Sequence, residues 1–344
     1  MPTASIFAER FAAQGLAGPP ERTAADVAGR LLAVQGQDPR GARLAVRARS
    51  DGLTAADVDR ALSEERSLLI TWLNRGTLHL VRSEDYPWLH ALTTPPLFTS
   101  ATRRLSQEGV SPGAVERGVK TIERALAEEG PLTRLQLRER LERADVPTEG
   151  QALIHLLFLA AVEGIAVRGP MLGKDHAYVR VADWLEPGKP IDRDAALAEL
   201  ARRYLVGHAP ADDRDLARWA GLPLRDARAG LAAIAAELVE RDDGLVHLAA
   251  RPPLAEVPGP RLFGAFDPLL LGWTSREAVL GPHTQLVTIN GIFKPFAMVK
   301  GRAVATWRLA RGKVTIEPLG RITKTANAAL AADAADVERF MASA

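Results

Sequence analysis

The stretch Ser67-Leu-Leu-Ile-Thr-Trp-Leu-Asn-Arg-Gly-Thr-Leu-His-Leu-Val81 marks a change from helical spacing to the spacing of strands. Two apolar runs flank the turn residues Asn74-Arg75-Gly76, a pattern that predicts a β-hairpin. Three helices are predicted before this hairpin: one opened by Thr23 with Asp26 and carrying Val27, Leu31 and Val34, one over Arg40–Arg49, and one capped by Thr54 with Asp57 and running through Leu62.

The same order of three helices and a hairpin recurs twice along the chain. The second copy has predicted helices at Gly113–Glu128, Thr133–Arg143 and Thr148–Val162, the last opened by Thr148 with Gln151, and strands at Ile165–Arg168 and His176–Val181 around the loop Gly169–Asp175. The third has helices at Asp192–Val206, Asp213–Ala220 and Leu224–Ala236 and strands at Glu237–Glu240 and Leu245–Ala249. Three helices followed by a two-stranded wing are typical of winged-helix motifs, and Gly221 breaks a segment of helix-turn-helix character. The same order also occurs in folds that bind no DNA.

Helical spacing stops after the segments Arg251–Pro253 and Pro258–Pro260. Short strands are predicted at Gln285–Ile289, Phe293–Lys300, Ala303–Leu309 and Lys313–Pro318, followed by a helix over Ala326–Phe340. The predicted fold is α+β, with three tandem winged-helix motifs and a small antiparallel β-barrel-like module. The predicted boundaries are 1–100, 101–187 and 188–253 for the winged-helix units, 254–325 for the β-module and 326–344 for the terminal helix.

Composition excludes several classes of protein. The chain has 344 residues and no cysteine, which excludes disulfide frameworks, thiolate zinc sites, iron–sulfur clusters and cysteine nucleophiles. Neither a basic leader followed by an apolar run nor a stretch long enough to cross a bilayer is present in the sequence. We therefore expect a soluble, cytoplasmic protein without a membrane partner.

The charge distribution is uneven although the net charge is only +2. The segment from Glu256 to Thr325 carries ten basic and four acidic residues, so its net charge is +6. A second basic cluster comprises Arg40, Arg43, Arg47 and Arg49, with Asp38 as the acidic residue beside it. Local positive charge on a nearly neutral chain indicates a polyanion site, and arginines on solvated faces are the alternative interpretation.

Most hydrolytic sites lack a signature in this sequence, because the seven histidines show no metal-ligand spacing and no local Ser-His-Asp signature or phosphate-binding glycine motif is present. The unusual feature is Val34-Gln-Gly-Gln-Asp-Pro39, which holds two of the chain's seven glutamines. If the backbone is extended there, Gln35 and Gln37 lie on one face, and their carbonyl oxygens can orient a water and stabilise positive charge. An exposed helix terminus is the alternative interpretation.

These residues resemble the AlkZ-type winged-helix DNA glycosylase family, in its two-glutamine branch. The resemblance covers about Thr23 to Pro318 and rests on four segments: Val34–Arg40, Trp72–Val81, Phe266–Arg276 and Ile292–Arg302. It implies three winged-helix motifs and a small barrel arranged as a C-shaped clamp on double-stranded DNA. It also implies that Gln35 and Gln37 are the catalytic pair. Gly36 departs from the family's aliphatic spacer, which leaves Asp38 as an alternative to Gln37.

The implied reaction is hydrolysis of the N-glycosidic bond of N7- or N3-alkylated purines in DNA repair or antibiotic self-resistance, with bulky natural-product adducts and interstrand crosslinks as further substrates. An alkylated purine already carries positive charge, so it leaves without a general acid and needs only an aligned water and stabilisation of the sugar cation. We expect a monofunctional, monomeric enzyme without metal or cofactor, and its DNA substrate implies association with the nucleoid. The candidate phosphate contacts are Arg75, Arg276, Lys294, Lys300 and Arg302, and the candidate supporting residues are Asp38, His79 and Asp267.

Two other classes of function remain open on the sequence. A non-catalytic winged-helix transcriptional regulator would bind an operator and would be indifferent to substitution of the glutamines. An adaptor whose wings bind proteins would show no salt-sensitive affinity for DNA. We also expect Trp72 and Trp273 to lie in the core.

Overall fold

A computed structural model describes residues 3–188, 191–250 and 257–342. The backbone divides into two compact units, one formed by Met1–Val58 with Asp192–Ala344 and the other by Asp59–Ile191. This division is coarser than the predicted five-part organisation, which stays a prediction. The predicted linker Arg251–Pro253 lies outside the described residues.

The helices of the described ranges are α1 (Thr3–Ala13), α2 (Ala24–Leu31), α3 (Pro39–Arg47), α4 (Ala55–Ser63), α5 (Tyr86–Thr93), α6 (Pro95–Gln107), α7 (Pro112–Glu129), α8 (Arg134–Arg143), α9 (Ala152–Val162), α10 (Val181–Trp184), α11 (Arg193–His208), α12 (Asp213–Ala220), α13 (Leu224–Ala233), α14 (Glu277–Leu280) and α15 (Lys324–Met341). The strands are β1 (Val34–Gln35), β2 (Leu68–Leu73), β3 (Thr77–Arg82), β4 (Ala166–Leu172), β5 (Asp175–Arg180), β6 (Leu238–Glu240), β7 (Val246–Leu248), β8 (Arg261–Phe263), β9 (Phe296–Val299), β10 (Arg302–Ala310) and β11 (Lys313–Pro318).

The unit formed by residues 59–191 contains an antiparallel sheet with the order β3-β2-β4-β5. The β2–β3 hairpin places Thr71 opposite His79, and every residue of β2 is buried. Helix α9 packs against α6 and α7, and it is apolar nearly all round, as expected for a helix inside a core. The predicted hairpin at residues 67–81 is therefore confirmed.

The other unit combines a helical part with a β-module. Helix α11 packs against α1, α2 and α13, and the short hairpin β6–β7 follows α13. The β-module is an antiparallel sheet with the order β11-β10-β9-β8, and α15 packs against β8 and β11. Helix α3 contacts α2, α15 and β8, so the helix that follows the paired glutamines joins the two parts of this unit.

Local capping residues explain where several helices begin and end. Thr23 and Asp26 form the predicted capping box at α2, and Gly221 ends α12 in a left-handed conformation with φ 72°. The predicted capping role of Thr148 is wrong, because its hydroxyl donates to Glu142 at 2.8 Å and α9 begins only at Ala152.

Other predictions are also corrected. Val34 lies in β1 rather than at the end of α2, and the loop predicted from Gly169 is shorter because β4 continues to Leu172. The predicted barrel-like module is an open sheet with β11 and β8 as its edges in the part of the chain described. The predicted strand Gln285–Ile289 is absent there, since Thr284–Leu286 forms a 3₁₀ turn, and the unpredicted β8 completes the sheet instead. Helices α1, α5, α6, α10 and α14 carry no sequence prediction.

Candidate active site

The paired-glutamine segment begins where α2 is stopped by a strained turn. Leu32 has φ 62° and ψ −44°, and the Ala33 N–H donates to the Leu31 carbonyl at 2.8 Å, which closes a three-residue γ-turn. A buried leucine with positive φ costs roughly 1–3 kcal/mol, and such strain persists only where the surrounding packing imposes it. The turn redirects the chain from α2 into the extended pair Val34–Gln35.

Gln35 and Gln37 lie in different environments. Gln35 is buried, with 7% of its surface exposed, and its Oε1 has no hydrogen-bond partner within the described part of the chain. An unpaired buried amide oxygen costs about 1–3 kcal/mol, and a polar ligand or water is the usual explanation for its retention. Gln37 is exposed. Strand β1 ends at Gln35, and the two amides do not share one environment: Gln35 offers a buried acceptor, whereas the amide of Gln37 is open to solvent.

Asp38 is the N-cap of α3, directly after the glutamines. Its Oδ1 accepts hydrogen bonds from the backbone N–H groups of Arg40, at 2.8 Å, and Gly41, at 3.0 Å. Pro39 occupies the first turn, where its lack of an N–H group costs nothing. The geometry gives Asp38 a local structural role, because its carboxylate caps the first turn of the helix that directly follows the paired glutamines.

Helix α3 is held closely against the segment that carries Asp267. A Cβ on Gly41 would lie 2.2 Å from the Ala265 carbonyl oxygen, so only glycine allows this approach. Asp267 is fully buried and accepts two hydrogen bonds from Arg49, at 2.9 and 3.0 Å, while it also caps Leu269. Asp267 thereby holds the C-terminal end of α3 rather than an open substrate surface.

The second basic cluster, predicted from its charge to be a polyanion site, is mostly buried in the structure. Arg43, Arg47 and Arg49 are buried, and Arg40 alone of the four is exposed. Arg47 is paired with Asp333 and Asp336 of α15, and these hydrogen bonds and charges raise its pKa against the opposing effect of burial. Arg47 and Arg49 therefore connect the end of α3, and the residues just after it, to distant carboxylates. Arg43 instead donates to the Pro39 carbonyl within α3 at 3.0 Å, and the exposed Arg40 donates to the Leu309 carbonyl of β10 at 3.2 Å.

The candidate cations of the β-module fall into two groups. Lys294 and Lys300 are exposed, and Arg302 is exposed while donating to the Glu277 carbonyl at 3.1 Å. Arg276 is half-buried, donates to the Leu270 carbonyl at 2.7 Å and lies 4.9 Å from the centre of the Phe293 ring. Burial lowers the pKa of Arg276, and this side chain is committed to packing.

The remaining candidates, Arg75 and His79, belong to the β2–β3 hairpin of the other unit. Arg75 is exposed in the turn with φ 57°. His79 is buried with its Nδ1 2.9 Å from the Thr77 carbonyl, and burial, aided by the charge of Arg75, lowers its pKa to about 3. The imidazole is therefore neutral at physiological pH and cannot supply a proton as a general acid there.

The structure also identifies polar groups of that hairpin that sequence reasoning missed. Thr71 Oγ1 and both side-chain polar atoms of Asn74 are buried without a hydrogen-bond partner among the described residues. Asn74 stands at a hairpin turn, where asparagine is common for conformational reasons, so its type and position gave no functional signal. Trp72 and Trp273 are buried as predicted, and the Trp273 indole donates to the His208 carbonyl at 2.8 Å.

Neither a metal site nor a membrane-spanning helix is found in the described ranges. No group of three or more His, Asp or Glu side chains there is arranged to hold a metal ion. Of the helices given above, none combines the length and apolar character needed to cross a membrane.

Comparisons with known proteins agree with this architecture. The family model described as DNA glycosylase AlkZ-like matches residues 28–340. An interstrand DNA cross-link repair glycosylase of Streptomyces sahachiroi is 30% identical over 366 residues, covering 97% of this chain and 95% of the relative. The solved structure of Streptomyces sahachiroi DNA glycosylase AlkZ superposes with a TM-score of 0.79 at 28% identity, covering 98% of this chain and 96% of that one.

The fold and the family match define a DNA glycosylase, a hydrolase that acts on the N-glycosyl bonds of DNA. The chain belongs to the AlkZ-like family of these enzymes.

Proposed function

We propose that this enzyme excises N7- and N3-alkylated purines from double-stranded DNA, with Gln35 and Gln37 as the catalytic pair. The observation that carries the proposal is the buried, unpaired Oε1 of Gln35 at a strained turn in the family's two-glutamine motif. Such an oxygen is available to accept a hydrogen bond from a water and to face a developing positive charge. Gln37, open to solvent, supplies the second amide.

In the proposed reaction the water oxygen forms a bond to the sugar C1′ while the glycosidic C–N bond breaks. The bond electrons go to the purine, which leaves as a neutral alkylated base because it was cationic beforehand. The attacking water loses one proton, which passes to solvent because the glutamine amides only accept hydrogen bonds. A neutral His79 fits this scheme, since the leaving group needs no proton. The absence of a requirement for an amine nucleophile supports a monofunctional enzyme.

The substrate range follows from the same chemistry. Unmodified purines are poor leaving groups, so the enzyme is expected to be slow on undamaged DNA. The relative from Streptomyces sahachiroi is named for interstrand cross-link repair, which supports crosslinked purines as further substrates here. Action as a monomer, the three tandem winged-helix motifs and the C-shaped arrangement on DNA are parts of the same proposal.

The experiment measures base release from a duplex with a single N7-methylguanine under single-turnover conditions. Gln35→Ala and Gln37→Ala are compared with Gln107→Ala, an exposed glutamine of α6. Release by the wild type and by Gln107→Ala, with loss in both other variants, is the expected result. Release that survives both substitutions would assign catalysis to other residues. No release from methylated, bulky-adduct or crosslinked duplexes, together with operator-like binding, would favour a regulator.

A further inference from the structure

A narrow loop of the β-module, Thr288–Ile292, is termed here the Ile289 finger. Its base is closed by a β-bridge between Val287 and Phe293 and by the Lys294 N–H, which donates to Leu286 at 2.9 Å. Inside the finger, the Thr288 and Gly291 N–H groups donate to the Ile292 and Thr288 carbonyls, each at 2.9 Å, and the Ile292 N–H donates to the Thr288 hydroxyl at 3.0 Å. The finger is thus a structured loop with a defined tip.

The tip is apolar and faces solvent. Ile289 has a relative exposure of 105%, the highest of the large hydrophobic side chains described, and Ile292 has 53%. Isolated exposed apolar residues are ordinary, but here two exposed isoleucines lie three positions apart on one hydrogen-bonded loop, with the small residues Asn290 and Gly291 between them. Such an apolar tip gains free energy when a partner removes it from water.

The base of the finger is anchored in the core. Phe293 is buried, and its ring lies 5.6 Å from the ring of Phe266 and 4.9 Å from the Arg276 guanidinium. Arg276 in turn donates to the Leu270 carbonyl. This packing lets the tip bear on a partner without the whole loop being displaced.

The anchor also connects the finger to the candidate active site within one unit. Phe266 follows Ala265, whose carbonyl oxygen is the group that Gly41 of α3 approaches. Helix α3 begins directly after Gln37 and Asp38. A short path of contacts therefore leads from the finger to the turn that carries the paired glutamines.

The charge around the finger identifies the kind of partner. Between Glu277 and Glu317 the sequence contains no acidic residue and six basic ones, namely Lys294, Lys300, Arg302, Arg308, Arg311 and Lys313. Arg308 and Lys313 are paired with Glu317 and Glu338. Lys294 and Lys300, on either side of β9, are exposed, and Lys294 lies at the base of the finger. An apolar tip in a basic segment fits the base stack of a nucleic acid, whose apolar interior lies between two rows of phosphates. An apolar protein surface would not require this excess of cations, and the match to a DNA glycosylase family favours DNA over an anionic lipid surface, which would also attract them.

We infer that Ile289 inserts into the base stack of duplex DNA beside the lesion and fills the space that the alkylated nucleotide leaves when it turns out of the helix. Ile292 supports it from the same tip. This inference rests on the proposed function, because it assigns the finger to the same DNA substrate. Extrusion of a nucleotide requires lost stacking to be replaced, and an apolar wedge replaces it.

The first test compares single-turnover release of N7-methylguanine paired with cytosine and of the same base opposite an abasic site. Ile289→Ala is expected to slow release from the paired duplex by about 10- to 100-fold and from the unpaired duplex by less than about 3-fold, because an unpaired base costs little to extrude. Ile289→Leu should retain the wild-type rate, as should Leu135→Ala, which removes another exposed leucine-sized side chain, on α8. Equal losses on both duplexes, or none on the paired one, would overturn the inference.

A second measurement does not depend on catalysis. A duplex with a tetrahydrofuran abasic analogue next to 2-aminopurine reports unstacking by its fluorescence when the protein binds. The wild type and Ile289→Leu should raise the fluorescence severalfold, and Ile289→Ala should bind with little increase. An equal increase with Ile289→Ala would refute the wedge. If the wild type releases no base but the fluorescence depends on Ile289, the proposed function fails while the wedge stands.

Discussion

Two buried glutamines of the same unit differ in how their amides are used. Gln14 donates from Nε2 to the Gly207 carbonyl at 2.8 Å and accepts from Arg49 at Oε1, also at 2.8 Å. Gln35 leaves its Oε1 without a partner in the described structure. A paired amide contributes to folding, whereas an unpaired one opposes it, so the catalytic role proposed for Gln35 comes at a cost in stability.

This contrast predicts opposite effects for the same substitution. Gln35→Met keeps the approximate side-chain volume and removes the unpaired oxygen, so it should raise the free energy of unfolding by about 1 kcal/mol. It should also slow base release by about 100-fold or more, since a positioned polar group is lost from the reaction. Thermal unfolding and single-turnover release measure the two effects.

Gln14→Met is the matched control. It removes two hydrogen bonds from a buried site and leaves the Arg49 guanidinium short of an acceptor, so the expected destabilisation is about 1–3 kcal/mol. If Gln35→Met is destabilised to the same extent as Gln14→Met, the Gln35 amide is hydrogen-bonded in solution and its proposed availability is wrong.

Among the secondary-structure elements, α3 directly follows the paired glutamines and is the helix that fixes their position. Asp38 caps its first turn and Gly41 packs against Ala265. Arg47, its last residue, and Arg49, two residues beyond it, are paired with distant carboxylates. A short helix held at both ends keeps the preceding residues in a constant position. Catalysis that depends on alignment of a water requires this kind of support.

The capping role of Asp38 predicts a clear difference between two substitutions. Asparagine also caps helices, so Asp38→Asn should retain stability within about 0.5 kcal/mol and base release within about 3-fold. Asp38→Ala should lower the free energy of unfolding by about 1 kcal/mol, because two N-terminal N–H groups lose their acceptor. Loss of release in Asp38→Asn with unchanged stability would instead make the carboxylate a catalytic group.

The elements that local signals define were predictable from sequence. The capping box of α2, the hairpin β2–β3 and the glycine that ends α12 each depend on residues within a few positions of one another. The end of α2 was missed because apolar spacing continues through Val34, whereas the positive φ of Leu32 is imposed by packing that leaves no local signal. Prediction succeeded where the determinants of structure are local.

The site was predictable only in part for the same reason. The glutamine pair was found through its spacing and its resemblance to a family motif, but nothing local indicates that Gln35 is buried and Gln37 exposed. Arg47 and Arg49 looked like a polyanion surface because their partners, Asp333 and Asp267, lie more than 200 residues further along the chain. Long-range pairs of this kind become visible only in the folded chain.

For the molecule as a whole, buried histidines predict how stability depends on pH. His208 is fully buried, its ring stacks on Tyr204 at 4.7 Å, and burial lowers its pKa to about 3. The unfolded chain binds a proton at this residue below about pH 6.5, which the folded chain does not bind until about pH 3. The free energy of unfolding therefore falls as the pH is lowered from 6.5 towards 3, by about 1.4 kcal/mol per pH unit for this residue.

His208→Phe should remove this dependence while keeping an aromatic ring in place. Between pH 7 and pH 5 its loss of stability should be smaller than that of the wild type by about 2 kcal/mol. Urea unfolding followed by tryptophan fluorescence suits the measurement, because Trp219 and Trp273 lie 5.3 and 5.9 Å from the His208 ring.

Tyr204→Phe is a control for packing in the same aromatic cluster. It loses the hydrogen bond from the hydroxyl to the Gly272 carbonyl, and because burial raises the pKa of Tyr204 well above its usual value, no titration near neutral pH is lost with it. The variant should be equally destabilised at both pH values. A wild-type pH dependence in His208→Phe would show that this histidine is accessible to protons in the native state.

The uneven charge of the whole chain makes a prediction about DNA affinity. Lys294 and Lys300 are exposed on the basic segment, whereas Arg276 is committed to the Phe293 ring. If each lysine neutralises one phosphate, the Lys294→Gln/Lys300→Gln variant should reduce the slope of log K against log salt concentration by about 2, since each contact contributes about 0.9.

Arg276→Gln should weaken binding with little change of that slope, because the arginine stabilises the base of the Ile289 finger instead of releasing a counterion. Lys120→Gln is the matched control: Lys120 is an exposed lysine of the other unit, paired with Glu116 at 2.7 Å, and its loss should leave the slope unchanged. The slopes are measured by titrating a labelled duplex at several salt concentrations. An unchanged slope in the double-lysine variant would place the phosphate contacts outside these two positions, and a reduced slope in Arg276→Gln would show that its guanidinium leaves Phe293 to meet the DNA.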